Sequence, residues 1–241
     1  MTAAMQWRYV DSGPAPGEVN MAADERLLGD AASRGGMPVL RLYAWEPPAV
    51  SLGRFQDEGT SVDREACRRH GIDIVRRITG GRAVLHRHEL TYAIVAPDSN
   101  SLFPDDVIGT YKVIAAGLLG ALRSIGVPAE MVSHASRHAV LVRRSAKDPS
   151  CFASPSWYEL VVHGRKIIGS AQRRVPGAFL QHGSILLDHD PALEAAVIPG
   201  GGKPGAATSL RSELGREVPL AEVKQAVRNG FTAALGIRFV E

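Results

Sequence analysis

Cysteine is nearly absent: the 241 residues include two, Cys67 and Cys151. That excludes a disulfide-stapled scaffold, which a chain long enough to bury a substantial core does not need. Both thiols are expected to stay reduced and are read separately. Long apolar runs are also missing. The N-terminal MTAAMQWRYV has no basic stretch followed by an apolar segment, and nothing later approaches the roughly 20 apolar residues of a membrane span. A soluble, unexported, cytoplasmic protein that does not engage a membrane is expected. No G-x-G-x-x-G or G-x-x-x-x-G-K-[ST] follows a strand pattern, so the common dinucleotide and phosphate loops are excluded. Aromatic residues are only 6% and are not interleaved with the arginines. That argues against a nucleic-acid-binding module despite a sequence pI near 9.0. There are no internal repeats.

What is present is an ordinary globular balance, 45% hydrophobic and 22% charged. Arginines come in pairs, Arg68-Arg69, Arg76-Arg77, Arg143-Arg144 and Arg173-Arg174. Such pairs form either a scattered solvated surface or a face for an acidic partner, and they lie beside the segments that look chemically active. A helix is expected from Asn20 as N-cap, with Asp24 and Glu25 early, Leu27, Leu28 and Ala31 toward the core, and Gly35-Gly36 as its stop. PVLRLYAW and AVSLGRFQ suggest antiparallel strands around a Pro47-Pro48 loop. SVDREACRRHG reads as a short helix capped by Ser61, with Cys67 as a small buried hydrophobe, and IDIV as the strand that follows. The longest helical pattern carries Val107, Tyr111, Ile114, Leu118 and Leu122 as a core stripe and stops at Gly126.

Strand-like AVLVRR precedes a Pro/Ser-rich loop. The strand YELVV, a His163-Gly164 turn and the strand KIIGSAQ then form a hairpin, and FLQHGSILLD adds another strand. From Pro199, GGKPGAA reads as a linker to two short helices. These elements predict an α+β fold, a mixed, largely antiparallel sheet with helices packed on it. The division expected is a catalytic domain over residues 1–198 and a small C-terminal helical extension over 199–241.

Chemistry concentrates in three places. Cys151 lies in KDPSCFASPSWYEL, a loop that would expose a thiol, and a thiolate with a nearby cation is the best side-chain nucleophile for acyl transfer. A bystander cysteine is the alternative. Lys166, just after the hairpin turn, would be carried beside that loop, where an ammonium lowers a thiol pKa or stabilises an oxyanion. The run Arg77-Ile78-Thr79-Gly80-Gly81-Arg82-Ala83-Val84-Leu85-His86 places paired glycines between strands, either an ordinary turn or a wall allowing close backbone approach to a ligand. His182 alternates within its strand, pointing into a site or into the core. His86 with His88, and His134 with His138, lack the further ligands that zinc requires, so no metal is expected.

Taken together, these segments resemble the lipoate-protein ligase and biotin-protein ligase superfamily, most of all its cysteine-dependent octanoyltransferase branch. NMAADERLL resembles the opening helix and LRLYAWEPPAVSLGRFQ the early hairpin. RRITGGRAVLHRHELTYAIV is similar to the acyl-pocket signature, and SCFASPSWYELVVHGRKIIGSAQ to the region bearing nucleophile and lysine. LQHGSILLD matches a following strand. The resemblance implies a ping-pong reaction: octanoyl-acyl carrier protein donates to Cys151, and a lipoyl-domain lysine, typically of a glycine cleavage H protein, attacks the thioester. It matches Lys166 to the lysine kept beside the reacting carbonyl. The candidate site is Cys151 and Lys166, with Arg77, Gly80, Gly81, Arg82, His86, Gly169 and His182 about the acyl group. No cofactor is implied, since exchange between thioesters needs no ATP. Arg82 stands where ligases of the superfamily commonly carry a third glycine, and Arg87 where an Asp often follows the signature histidine. An ATP-dependent lipoate-protein ligase and a lipoyl amidotransferase between carrier proteins are the competing readings.

Overall fold

The computed structural model describes residues 4–132 and 159–241. Eight strands form the main sheet. From one edge they are β11 (Arg238–Val240), β1 (Gln6–Ala15), β2 (Val39–Trp45), β6 (Glu89–Pro97), β10 (Ala178–Leu186), β9 (Arg165–Val175), β8 (Leu160–Val162) and β7 (Glu130–Met131). Only β11/β1 and β1/β2 run parallel; the other pairs are antiparallel. The expected mixed, largely antiparallel sheet is therefore present. A smaller sheet has β3 (Ala49–Leu52) between β4 (Asp73–Arg76), parallel to it, and β5 (Val84–His86), antiparallel.

Every residue of β6 and β10 is buried, because helices cover the main sheet on both faces. Leu90, Tyr92 and Ile94 face one layer with α4 (Val107–Ser124) and α7 (Leu220–Leu235), whereas Ala93 and Val95 face the layer of α1 (Gly17–Arg34). The helix α4 is long and apolar enough to cross a bilayer by composition, but its Ile114, Leu118 and Leu122 pack with Val223, Val227 and Phe231 of α7. After α5 (Pro191–Val197), the stretch from residue 199 joins this same core: it forms α6 (Leu210–Leu214), α7 packs on α4, β11 extends the sheet from β1, and Thr208 N–H donates to Lys166 O (2.9 Å).

Local signals mislead where a buried partner outbids them. The first helix begins at Gly17, not at Asn20. Asn20 is fully buried inside it; its amide donates to Ala15 O (3.0 Å) and Ala44 O (2.9 Å), and Arg41 donates to its Oδ1 (2.7 Å). Ser61 ends the four-residue helix α2 (Glu58–Ser61), and Asp63 caps α3 (Arg64–Arg69) by accepting from Ala66 N–H (2.8 Å). The strands β2 and β3 do not pair. Both edges of β2 are occupied by β1 and β6, so the chain leaves through Pro47-Pro48 and starts the smaller sheet. Val107, 47% exposed, lies outside the α4 stripe. The hairpin β8–β9 turns through His163 (φ 49°) and Gly164 (φ 76°), as expected of a two-residue loop. AVLVRR and the Pro/Ser-rich loop lie outside the described residues.

Candidate active site

A cleft opens on the α1 side of the sheet, between the main and smaller sheets. Its wall includes Met21 of α1, Trp45 of β2, Ser51 of β3, Val84 and His86 of β5, and Gly169 and His182 of β9 and β10. Arg77, His86, Gly169 and His182 thus line one cavity although they come from distant stretches of sequence.

Arg77 is buried, and its side chain organises the glycine turn. Nε donates to Thr79 Oγ1 (3.2 Å), Nη1 to Ser51 O (2.8 Å) and Ser51 Oγ (3.0 Å), and Nη2 to Gly80 O (2.9 Å) and Arg82 O (2.7 Å). Five N–H groups therefore meet five protein acceptors. Gly81 adopts φ +94°, a conformation suited to glycine, and a Cβ placed there would touch Ala171 of the cleft wall at 3.9 Å. Gly53, at the end of β3, packs directly on the Gly81 carbonyl, where an added Cβ would overlap that oxygen. Gly53→Ala should therefore push the turn away from β3. A loss of about 1–3 kcal/mol is expected, read as a fall in melting temperature of roughly 2–12 °C, with transfer activity falling alongside.

Two chains of hydrogen bonds converge on Arg77. In one, Asp24 Oδ2 meets His182 Nδ1 (3.0 Å) and His182 Nε2 meets Thr79 Oγ1 (2.7 Å). In the other, Glu89 Oε1 meets His86 Nδ1 (3.0 Å) and His86 Nε2 meets Ser51 Oγ (2.7 Å). With neutral imidazoles the bonds run in one sense: each hydroxyl accepts from the guanidinium and donates to Nε2, and each Nδ1 donates to a carboxylate. The pattern looks like a hydrolase relay, but its hydroxyls are held as spacers between guanidinium and imidazole. Arg41 (2.7 Å) and Tyr43 (2.8 Å) fix Asp24, and Trp45 stacks on His86 with ring centroids 3.8 Å apart. Trp45 Nε1 also donates to Thr91 Oγ1 (2.8 Å), which donates in turn to Glu89.

Burial pushes the His182 pKa below its ordinary 6.5, prevailing over the opposing pull of Asp24, with Arg77 and His86 adding to the lowering. Burial, then Asp24, raises the Tyr43 phenol well above its ordinary range, keeping it a donor. Just below pH 6.5 the unfolded chain binds a proton at His182 that the folded chain does not. Stability should therefore fall as pH drops through that window, by up to about 1.4 kcal/mol per pH unit. Urea midpoints at pH 7.5 and 5.5 should show the loss, and His182→Gln should shrink the difference.

Lys166, in β9, is 1% exposed and donates from Nζ to Glu159 Oε1 (2.6 Å), itself buried. It is not among the described residues lining the cleft; Gly169, three residues on, is. Cys151 lies outside the described residues. Burial pushes the Cys67 thiol up to about 11, an unreactive state. Arg87 turns outward to Asp190 (3.2 Å). Among the described residues no three His, Cys, Asp or Glu side chains gather as a metal would need, and His134 and His138 lie outside them. Asp24, Ser51, Thr79, Glu89 and Glu159 were not singled out from the sequence. Asn20 and Asp24 do share a helical stripe with Leu28 and Ala31, and polar members of a core stripe are the signal that marks them.

The sequence profile of the lipoyl protein ligase A/B catalytic domain matches residues 16–232. The chain is 41% identical to the octanoyltransferase LipM of Geobacillus kaustophilus, over 96% of this chain and 87% of that protein. It is 44% identical to the protein of that name from Kyrpidia tusciae, over 96% and 88%, and 36% identical to that of Bacillus subtilis, over 96% and 87%. Among solved structures, a lipoate-protein ligase A bound with ATP superposes with a TM-score of 0.79 at 24% identity, covering 98% of this chain and 88% of that one. The bipartite lipoate protein ligase of Thermoplasma acidophilum, studied with its E2 lipoyl domain, gives 0.74 at 23% identity, covering 98% and 86%. These two likenesses establish the fold.

Proposed function

The chain belongs to the lipoyl protein ligase A/B catalytic domain family, and from that premise we propose that it carries octanoyl from octanoyl-acyl carrier protein, through a thioester on Cys151, to a lipoyl-domain lysine such as that of a glycine cleavage H protein. Relatives of 36–44% identity over 96% of the chain make it an octanoyltransferase, an acyltransferase of protein lipoylation. Donor, covalent relay and acceptor are the proposed part, as is a cytoplasmic setting.

The observation that carries the reading is a cleft walled in part by Met21, Trp45, Val84 and Ala171, in which Arg77, the one arginine among the described lining residues, is already engaged by protein oxygens. Such a site suits a neutral acyl chain better than an anion. Burying its CH₂ groups at about 0.8 kcal/mol each supplies several kcal/mol of positioning. In the first step the Cys151 thiolate attacks the donor carbonyl, an S–C bond forms and the donor thiolate leaves. In the second the acceptor amine attacks, a C–N bond forms, the C–S bond breaks and the amine proton passes to the departing sulfur. The first exchange is nearly isoenergetic and the amide is the more stable product, so no ATP is required. Lys166 is assigned to stabilise the carbonyl oxygen as charge develops on it.

Intact mass after mixing with octanoyl-acyl carrier protein tests this directly. An octanoyl adduct on Cys151, discharged by apo H protein, is expected. Transfer that instead requires free octanoate and ATP would overturn it in favour of a ligase.

A further inference from the structure

We propose that Phe55 is an anchor on which the acceptor carrier domain docks; the identity of that partner rests on the acyl-transfer reading above. Phe55 is 86% exposed, against 47–56% for the other exposed large apolar residues among those described, Val19, Met37, Val107 and Ile108. Single exposed apolar residues are common. This one is held out on a braced loop. Gly53 N–H donates to Gln56 Oε1 (2.9 Å) and Gln56 N–H to Gly53 O (3.0 Å), while Arg76 Nη1 donates to Gly53 O (3.0 Å) and Gln56 O (2.8 Å). Residues on both sides of Phe55 are thus fixed before any partner arrives, which reduces the ordering cost of an interface.

The loop is also tied to the cleft. Arg54 N–H donates to Thr79 O (2.8 Å), and Thr79 Oγ1 bonds His182 of the cleft wall, so the backbone of the loop that carries Phe55 is joined to the glycine turn. The surroundings are positive. Arg54 is exposed with its guanidinium 5.5 Å from the Phe55 ring, and Arg76 and Arg173 donate to neutral carbonyl oxygens, Arg173 to Ile78 O (3.2 Å). Of the nearby carboxylates, Glu58 pairs with Arg64 (2.6 Å), and Asp57 caps Thr60 N–H (3.1 Å) while keeping its negative charge, which the arginines outnumber. An aromatic knob in a cationic collar fits an acidic domain, the combination that makes interface hot spots.

Reach selects the acceptor over the donor. A donor presents its acyl group on a long thioester arm and can stand back from the cleft. An acceptor amine on a four-carbon lysine stem reaches only roughly 6 Å, so its domain must come close against the loops that border the cleft, and the loop bearing Phe55 follows directly on β3, whose Ser51 lines that cleft.

The test is the affinity of wild-type, Phe55→Ala and Phe55→Tyr enzymes for an apo glycine cleavage H protein whose acceptor lysine is replaced by alanine. Titration calorimetry is run beside intact-mass loading of Cys151 from octanoyl-acyl carrier protein. Phe55→Ala should raise the H-protein Kd about tenfold or more, Phe55→Tyr should stay near wild type, and loading should be unchanged in both. A Phe55→Ala Kd within twofold of wild type overturns the proposal. So does an equal loss of Cys151 loading from octanoyl-acyl carrier protein, which would make the donor the occupant, or a wild-type dimer that Phe55→Ala dissolves on sedimentation of the same samples, which would make a second copy the occupant. A wild-type enzyme that never loads octanoyl defeats the acyl-transfer reading, while the calorimetry still decides the docking.

Discussion

Replacing Cys151 with serine is expected to cut octanoyl transfer by about a thousandfold or more, because a hydroxyl at neutral pH offers almost none of the ionised nucleophile that a thiol provides. Octanoylated H protein, followed by intact mass, measures it. Cys67→Ser is the matched control. Its thiol is 1% exposed, with burial pushing its pKa up to about 11, so transfer should continue near the wild-type rate once folding is accounted for. Full transfer by Cys151→Ser would show that acyl passes straight from donor to acceptor.

The architecture was legible because most of its elements declare themselves locally. The strand KIIGSAQ, the His163-Gly164 turn and the stripe of Ile114, Leu118 and Leu122 each need only their own neighbours to be interpreted. The candidate site was legible in part, and what escaped has a common cause. Asp24 reads as an acidic residue early in a helix, yet its role comes from Arg41, Tyr43 and His182, which are 17, 19 and 158 residues away. Arg77 reads as half of an arginine pair and as a residue about the acyl group. In the fold it clasps Ser51, 26 residues back, and the turn that follows it. The paired arginines divide the same way. Arg68 pairs with Glu65 and Arg174 with Asp98, while Arg76 and Arg173 brace backbone near the cleft. Spacing alone cannot separate these cases, because the deciding partner is supplied by tertiary contact.

Lys166→Met should both destabilise the protein and stop transfer, and the two effects can be separated. The Lys166 ammonium and the Glu159 carboxylate are 2.6 Å apart with side chains 1% and 5% exposed. Removing the cation takes the 2.6 Å ammonium from a buried carboxylate, at about 3–5 kcal/mol, a fall in melting temperature on the order of 10 °C. Adding Glu159→Gln removes the negative charge that the ammonium balanced, so the double variant should regain most of that loss. If Lys166 also stabilises the carbonyl oxygen during acyl exchange, regained stability will not bring regained rate, and the double variant should remain on the order of a hundredfold below wild type or lower. A double variant that transfers octanoyl at the wild-type rate would reduce Lys166 to a counter-ion for Glu159. The oxyanion would then have to be held by other groups, with the backbone amides of the Gly80-Gly81 turn the first to test.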